Sequence, residues 1–468
     1  MNSLKENKMG VMPVGKLLFT MALPLALSML VQALYNVVDS IFVSQISDEN
    51  NFALTAVGLA FPIQNIMIAV STGVAVGANA LLSRSLGEKD QEKVNQAARN
   101  GMFLMVISII LTAVLGFFLA EPFMRSQSSN EAVIDYGVTY IRITTVISFG
   151  IYGEIFTERL LQATGRTVYT LFTQGVGAVL NIVLDPVFIF GWGPIPRMEV
   201  AGAAVATVIG QVVACVLGLI FNVKKNKEIS LNMLHFRPSG LMIRRILGIG
   251  VPSMIMIGIG YLMYYFFNLV LSRFEGVGEV GNTVFGAYYK LQSFVFMPIF
   301  GIGNTVLPIA AYNYGAKKPE RITRTIRYAM LGASAIMLTG TLIFQLFPGQ
   351  LLGFFNPDEA MLEVGVPALR IVSLPFVCAG ISIVCNNVFQ ALGKSVYSMI
   401  TSVARQILIL IPIAFLLSLA GNIDLVWISF PIAEVAGLIM SIFMILSVYR
   451  KIIKPLYNSA CKEKKNIV

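Results

Sequence analysis

Twelve long apolar segments joined by short polar loops constrain this chain more than any other feature of its sequence. A helix needs about 20 mostly apolar residues to cross a bilayer. A water-soluble core of this size would lack a polar cover, since 56% of the 468 residues are hydrophobic and only 12% are charged; soluble domains carry about 25% charged residues. We therefore predict an all-α integral membrane protein with twelve spans, at residues 16–43, 53–83, 98–120, 137–162, 167–191, 200–223, 245–272, 280–312, 326–347, 362–391, 395–420 and 425–449.

Lysine and arginine residues are divided unequally between two alternating sets of loops. The termini and the loops after even-numbered spans hold 26 of the 34, the opposite loops hold three, and five lie inside spans. Because cytoplasmic loops are enriched in these residues, both termini are expected in the cytoplasm. The first span is too long for a cleaved signal peptide and is expected to remain. Loop placement also accounts for the net charge of +10 without nucleic acid as a partner.

The sequence repeats itself at an offset of 228 residues without a gap. Residues 87–93 align with 315–321, residues 161–169 align with 389–397, and Pro24 pairs with Pro252. Each half then has six spans, an even number, so the halves are parallel repeats about an axis along the membrane normal. The expected domains are an N-terminal six-helix lobe at 1–223, a cytoplasmic linker at 224–244, a C-terminal six-helix lobe at 245–450 and a basic cytoplasmic tail at 451–468.

Asp39 is an acidic residue within the first span, where an ionisable side chain costs about 2.5–3.5 kcal/mol. Gln32, Asn36 and Asp39 are spaced by four and three residues and so share one helix face. This polar stripe indicates a face turned towards the bundle interior. A position at the outer interface, near the end of the span, is the alternative for Asp39.

Asp185 in the fifth span is the second acidic candidate. Asn181 lies one helical turn before it, and Pro186 follows it directly. Proline has no N–H, so it frees the carbonyl of Ile182 and kinks the helix. A carboxylate, an amide and a free carbonyl in one turn can bind a cation. A polar kink that serves only helix packing is the alternative.

The second half differs from the first in its expected chemistry. Phe267 stands at the position that corresponds to Asp39, so ion chemistry is expected in the first half. Aromatic and methionine side chains in the second half suit varied apolar ligands. The residues expected to line a substrate cavity are Gln32, Asn36, Gln64, Tyr264, Tyr288, Gln292 and Met297.

Other charged residues within the spans allow more than one interpretation. Glu154, Glu158 and Arg159 suit a structural ion-pair cluster. Glu434 suits either ion coupling or a pair with Arg405, and the sequence does not decide between these roles.

The sequence contains few residues that could serve catalysis or bind a metal. There is one histidine, His235, and the four cysteines are scattered without a CxxC pair. These residues are too few and too scattered for a structural metal site, a disulfide framework or a histidine-based triad. We therefore expect a protein that is not an enzyme and that needs no cofactor.

Three stretches resemble the bacterial branch of the multidrug and toxic compound extrusion (MATE) family. They are Leu-Tyr-Asn-Val-Val-Asp-Ser-Ile-Phe-Val at 34–43, Leu-Gln-Ala-Thr-Gly at 161–165 with its repeat at 389–393, and Asn-Ile-Val-Leu-Asp-Pro-Val-Phe-Ile at 181–189 followed by Gly-Ala-Ala-Val-Ala-Thr at 202–207. The resemblance covers essentially the whole chain, and the Asn-x-x-x-Asp-Pro stretch is quite specific.

The resemblance implies a V-shaped transporter of two six-helix lobes that exchanges H⁺ or Na⁺ for organic cations and other toxic compounds. The family's cation-coupling residues fall on Asp39, Asn181, Asp185 and Thr207, the last if four extra residues are allowed in the loop before it. We expect these four to converge on one site that a proton or Na⁺ can occupy. The expected partners are small organic substrates and the lipid bilayer, and the expected state is a monomer in the bacterial inner membrane. A flippase for lipid-linked precursors, from the same superfamily, is the alternative.

Overall fold

The computed structural model describes residues 6–46, 52–234 and 236–465, except for the side chains of Asn36 and of residues 460–465. Within these ranges the chain is helical, with short turns between helices and no β-strand. In chain order the helices are α1 (Lys8–Val11), α2 (Val14–Ser44), α3 (Phe52–Gly87), α4 (Gln91–Gln127), α5 (Glu131–Val146), α6 (Phe149–Ala163), α7 (Thr167–Phe190), α8 (Glu199–Lys225), α9 (Gly240–Leu271), α10 (Gly278–Gly315), α11 (Pro319–Leu346), α12 (Pro348–Gly353), α13 (Glu359–Ser373), α14 (Phe376–Ala391), α15 (Ser395–Val403), α16 (Ile411–Ser418), α17 (Ile423–Trp427), α18 (Ser429–Val448) and α19 (Lys454–Lys465).

Two π-helical stretches interrupt the last helices. Ala404–Leu410 connects α15 to α16, and Tyr449–Ile453 connects α18 to α19. π-Helical turns are rare and are often found at functional sites.

The described helices confirm the predicted membrane architecture. Ten helical stretches are long and apolar enough to cross a bilayer, and α13 with α14, bent by 49°, forms an eleventh. The remaining predicted span corresponds to α5 and α6, which carry Arg142, Glu154, Glu158 and Arg159 and are therefore less apolar than the others.

The chain divides into two compact units. The first unit comprises Leu27–Met254, and the second comprises Glu6–Ala26 with Ile255–Val468. These divisions fall inside α2 and α9 rather than in the 224–244 segment expected as the linker. The reason is that each of these long helices is continuous, yet its first part packs in one unit and its remainder in the other.

The first unit has an apolar core built from several helices. Tyr140 and Ile141 of α5 are 3% and 1% exposed, and Ala203 of α8 and Ala56 of α3 are fully buried against the same cluster. Small residues at these positions allow helix backbones to approach closely, which is how membrane helices pack without a hydrophobic driving force between them. This core fixes the positions of α7 and α8 relative to each other within the first unit.

Candidate functional site

A pair of glycines brings α7 and α8 together in the first unit. A Cβ on Gly177 would lie 3.1 Å from the carbonyl oxygen of Gly210, and a Cβ on Gly210 would lie 2.8 Å from the carbonyl oxygen of Gly177. The backbones therefore approach more closely than larger side chains would permit. One turn further along α7 and one turn earlier along α8, polar side chains come into contact.

Asn181 connects the polar groups of the two helices. Its Nδ2 donates to Oδ1 of Asp185 at 3.2 Å and to Oγ1 of Thr207 at 3.2 Å. Asn181 is 2% exposed and Asp185 is fully buried. The first contact follows from the four-residue spacing on one helix face, and the second depends on the glycine contact. The structure thus brings three of the four predicted coupling residues together.

Acceptor oxygens outnumber donors at this contact. Oδ1 of Asn181 and Oδ2 of Asp185 are buried and accept no hydrogen bond from any described residue. Nearly all buried polar atoms in proteins have a partner. An amide oxygen and an ionised carboxylate can only accept, so a proton on the carboxyl group or a hard cation satisfies them. The set fits either H⁺ or Na⁺.

Asp39 lies near this contact but does not join its hydrogen bonds. Its negative charge interacts electrostatically with Asp185, and its Oδ1 is buried without a donor among the described residues. Within the described residues, no group of three or more His, Cys, Asp or Glu side chains is placed to hold a metal. A cation held by Asp39 or Asp185 would therefore need neutral oxygens, such as those of Asn181 and Thr207.

A small cavity lies beside the contact. It is lined by Gln32 and Tyr35 of α2, Glu154 of α6, Gln174 of α7, and by Asn181 and Thr207. Its volume of about 20 Å³ suits one water molecule or one small ion and is far below the volume of a drug-sized ligand.

Sequence reasoning missed Tyr35 and Gln174 as residues of this site. Both carried a usable signal, because Tyr35 lies four residues before Asp39 and Gln174 lies seven residues before Asn181, which places each on the same helix face as its partner. Gln174 also donates to Glu158 at 3.1 Å, and Thr173 donates to the same carboxylate at 2.8 Å. Glu158 is therefore held by an amide and a hydroxyl at the edge of the cavity.

The predicted substrate-cavity residues are dispersed over both units. Gln32 lines the small cavity, Gln64 donates to the Tyr140 hydroxyl at 2.8 Å, and the side chain of Asn36 lies outside the described residues. In the second unit Tyr264 stacks on Phe285 with ring centroids 5.0 Å apart.

Tyr288 is 4% exposed and packs in the same aromatic cluster as Tyr264. Gln292 and Met297, further along α10, are half-buried. A substrate-cavity role for Tyr288, Gln292 and Met297 stays a prediction.

Arg405 and Glu434 form an ion pair in the second unit. Their side chains are 18% and 15% exposed, and they interact electrostatically with the hydroxyls of Tyr288 and Tyr289. Arg405 lies in the π-helical stretch Ala404–Leu410, and Glu434 lies in α18. Of the two roles that the sequence left open for Glu434, the structure shows the pairing.

Comparison with known proteins places this geometry in a family. The MatE family model matches residues 24–187 and again 252–416. The two matches begin at the repeat offset found in the sequence, so each half of the chain carries one copy of the family unit.

The similar proteins are transporters, and they align with this chain over nearly their full lengths. Multidrug export protein MepA of Staphylococcus haemolyticus is 23% identical over 440 residues, which cover 94% of this chain and 95% of that protein. A FAD transporter of Shewanella oneidensis is 24% identical and covers 90% of this chain and 92% of its own length.

Solved structures show the same fold. An outward-facing multidrug resistance MATE transporter superposes with a TM-score of 0.89 at 24% identity, covering 98% of this chain and all of the other. Both halves match the family model, so the chain belongs to the MatE family and is a multi-pass membrane transporter of its bacterial branch.

Proposed function

We propose that this protein exports organic compounds, often cationic drugs, in exchange for H⁺ or Na⁺. The observation that carries the proposal is the contact of Asn181, Asp185 and Thr207, with buried acceptor oxygens that have no donor among the described residues. A carboxylate buried in a membrane helix usually serves transport. The names of similar proteins, which include multidrug exporters, agree with this role.

The site couples cation movement to substrate export if its affinity for the cation differs between two states of the transporter. With both carboxylates ionised, Asp39 and Asp185 repel each other and favour any positive charge nearby. A proton on either carboxyl group removes that repulsion. Na⁺ does the same when Asn181 and Thr207 complete its oxygen shell, together with the carbonyl of Ile182, which Pro186 leaves without a helix donor.

Neutralisation of the site then weakens its attraction for an organic cation. The exporter releases its cargo as the coupling cation binds, and it recovers affinity when the coupling cation leaves on the other side. A membrane potential of about 150 mV supplies roughly 3.5 kcal/mol per net charge moved, enough for about a 300-fold gradient of substrate.

Both termini are proposed to face the cytoplasm, in agreement with the loop charges. Single cysteines placed at Lys89, Lys227 and Lys317 should then react with an impermeant maleimide only after the cells are opened. Reaction at these sites in intact cells would reverse the assignment. A flippase for lipid-linked precursors is not favoured, because the similar proteins with full-length coverage include multidrug exporters.

Dye efflux from proteoliposomes tests the coupling, with a pH gradient and a Na⁺ gradient imposed one at a time. Asp185→Asn removes the charge that the cycle needs, so gradient-driven efflux should be lost, because a neutral amide does not take up a proton and has no negative charge to attract Na⁺. Asp135→Asn is the matched control, because Asp135 is an exposed acid of the same unit. Wild-type efflux by Asp185→Asn would refute the proposal.

A further inference from the structure

A second, larger cavity lies between the start of α4 and the segment that joins α8 to α9. Its volume is about 220 Å³, and Arg99, Arg237, Gln96, Ser239 and Phe236 contribute to its lining. It is too small for a drug-sized ligand. Its volume is sufficient for several water molecules or for one phosphate group with its neighbouring atoms.

Hydrogen bonds fix the shape of this cavity. Oδ1 of Asn95 accepts from the backbone N–H of Ser230 at 2.9 Å, and Oδ1 of Asn100 accepts from the backbone N–H of Ser239 at 2.9 Å. Nε2 of Gln91 donates to the carbonyl of Glu228 at 2.9 Å. The connecting segment is thus attached to α4 at three points, and the cavity is a built feature of the first unit.

The cavity carries an excess of positive charge. Neither Arg99 nor Arg237 forms an ion pair with a described carboxylate, and two N–H groups of Arg99 donate to Ser230 at 3.3 and 3.5 Å. Glu92, the carboxylate that lines the cavity, already accepts from Gln96 at 3.0 Å. A guanidinium has five donors in a fork that matches phosphate oxygens. The donors left over point to an anion with several acceptors.

The surroundings indicate the source of that anion. Polar residues of α4 end near Asn100, and the apolar part of the span follows, which places the cavity at the level of lipid headgroups. The ring of Phe236 packs on Phe103 with centroids 6.0 Å apart, so an apolar surface adjoins the charged one. Basic pockets beside membrane helices recognise anionic headgroups in this arrangement.

We propose that this cavity binds the phosphate group of an anionic phospholipid headgroup, with Arg99 and Arg237 as its ligands. The bound lipid attaches the segment before α9 to α4. It thereby steadies the first part of α9, which packs within this unit against α3 through a close contact between Gly73 and Gly250.

Native mass spectrometry of the purified full-length protein tests the site, with phosphatidylglycerol and phosphatidylcholine offered in equal amounts. The wild type should retain phosphatidylglycerol preferentially, and Arg99→Gln/Arg237→Gln should lose at least tenfold in affinity for it. Arg327→Gln is the matched control, since Arg327 occupies the position of Arg99 in the other repeat and lies outside the cavity lining. A double variant that retains phosphatidylglycerol like the wild type would overturn the proposal.

A single variant and a competition with inorganic phosphate distinguish loss of lipid binding from misfolding and from binding of a soluble anion. Arg237→Gln alone removes an exposed side chain that has no ion pair among the described residues, so it should fold normally and still lose several-fold in affinity. Inorganic phosphate at millimolar concentration should not displace the lipid. Displacement by free phosphate would mean that the site serves a soluble anion and would overturn the lipid assignment. Neither arm depends on ion-coupled transport.

Discussion

The two units place different charges at the contact between corresponding helices. In the first unit Gly177 of α7 lies against Gly210 of α8. In the second unit Arg405 stands at the repeat position of Gly177 and lies against Gly437 of α18. Gly437 lies one residue before the repeat position of Gly210, so each unit has a glycine on the second helix of this contact, whereas the glycine on the first helix is replaced by a cation.

The polar residue one turn before each of these second-helix glycines also differs between the units, with a neutral hydroxyl in the first and a carboxylate in the second. Thr207 lies three residues before Gly210 and accepts from Asn181, while Glu434 lies three residues before Gly437 and pairs with Arg405. At this contact the first unit has acceptors without a fixed positive charge, whereas the second unit has the guanidinium of Arg405. We propose from this contrast that the first unit takes its cation from solution and that the second unit does not bind the coupling ion.

Breaking the pair in the second unit should have the largest effect on stability. Arg405→Gln or Glu434→Gln leaves one partly buried charge without its partner, and the cost approaches the roughly 3–5 kcal/mol of a fully buried pair. The double variant Arg405→Met/Glu434→Leu removes both charges and should unfold near the wild-type temperature. Thermal unfolding of the purified proteins in detergent measures this. Single variants as stable as the double would show that the pair is not buried in the folded protein.

Widening the glycine contact in the first unit should have an intermediate effect. Gly210→Ala places a methyl group 2.8 Å from the carbonyl oxygen of Gly177, so α7 and α8 must separate, at a cost of about 1–3 kcal/mol. The Asn181–Thr207 hydrogen bond should lengthen, and gradient-driven efflux should fall. Gly175→Ala is the control, because a methyl group there meets no atom within 4 Å. Equal losses in both variants would exclude the glycine contact as the cause.

Removing one ligand from the first unit should have the smallest effect. Thr207→Val keeps the shape of the side chain but loses the hydroxyl, and a hydrogen bond contributes about 1 kcal/mol, or roughly fivefold in affinity. The Na⁺ concentration that gives half-maximal efflux should rise by that factor, with a smaller change in the proton response. Thr207→Ser should restore the wild-type value. A Thr207→Val protein with unchanged Na⁺ dependence would remove Thr207 from the site.

Features set by neighbouring residues in the chain could be predicted from the sequence. The spans follow from apolar length, and the Asn181–Asp185 contact follows from a spacing of one helical turn. The repeat offset also predicted that Phe267 would replace Asp39 in the second half, and Phe267 is buried against Phe285 and Trp427.

Features set by packing over long sequence distances could not be predicted. The role of Gln64 in a substrate cavity stays a prediction, and the sequence did not indicate that its amide donates to Tyr140, 76 residues away. The division of α2 and α9 between the units was not predicted, although Pro24 and Pro252 lie two residues before it, because a proline within a helix does not show with which unit each part packs. The Arg405–Glu434 pair required the helices to be placed before the choice could be made.

The claim that the first unit alone takes up the coupling cation is tested most directly by counting ions released on substrate binding. Tetraphenylphosphonium is added to the purified protein in weakly buffered solution, and released protons and Na⁺ are measured per protein molecule. The wild type and Arg405→Met/Glu434→Leu should each release about one cation per protein molecule, and Asp185→Asn should release none. Release that persists in Asp185→Asn and disappears in the double variant would contradict the claim.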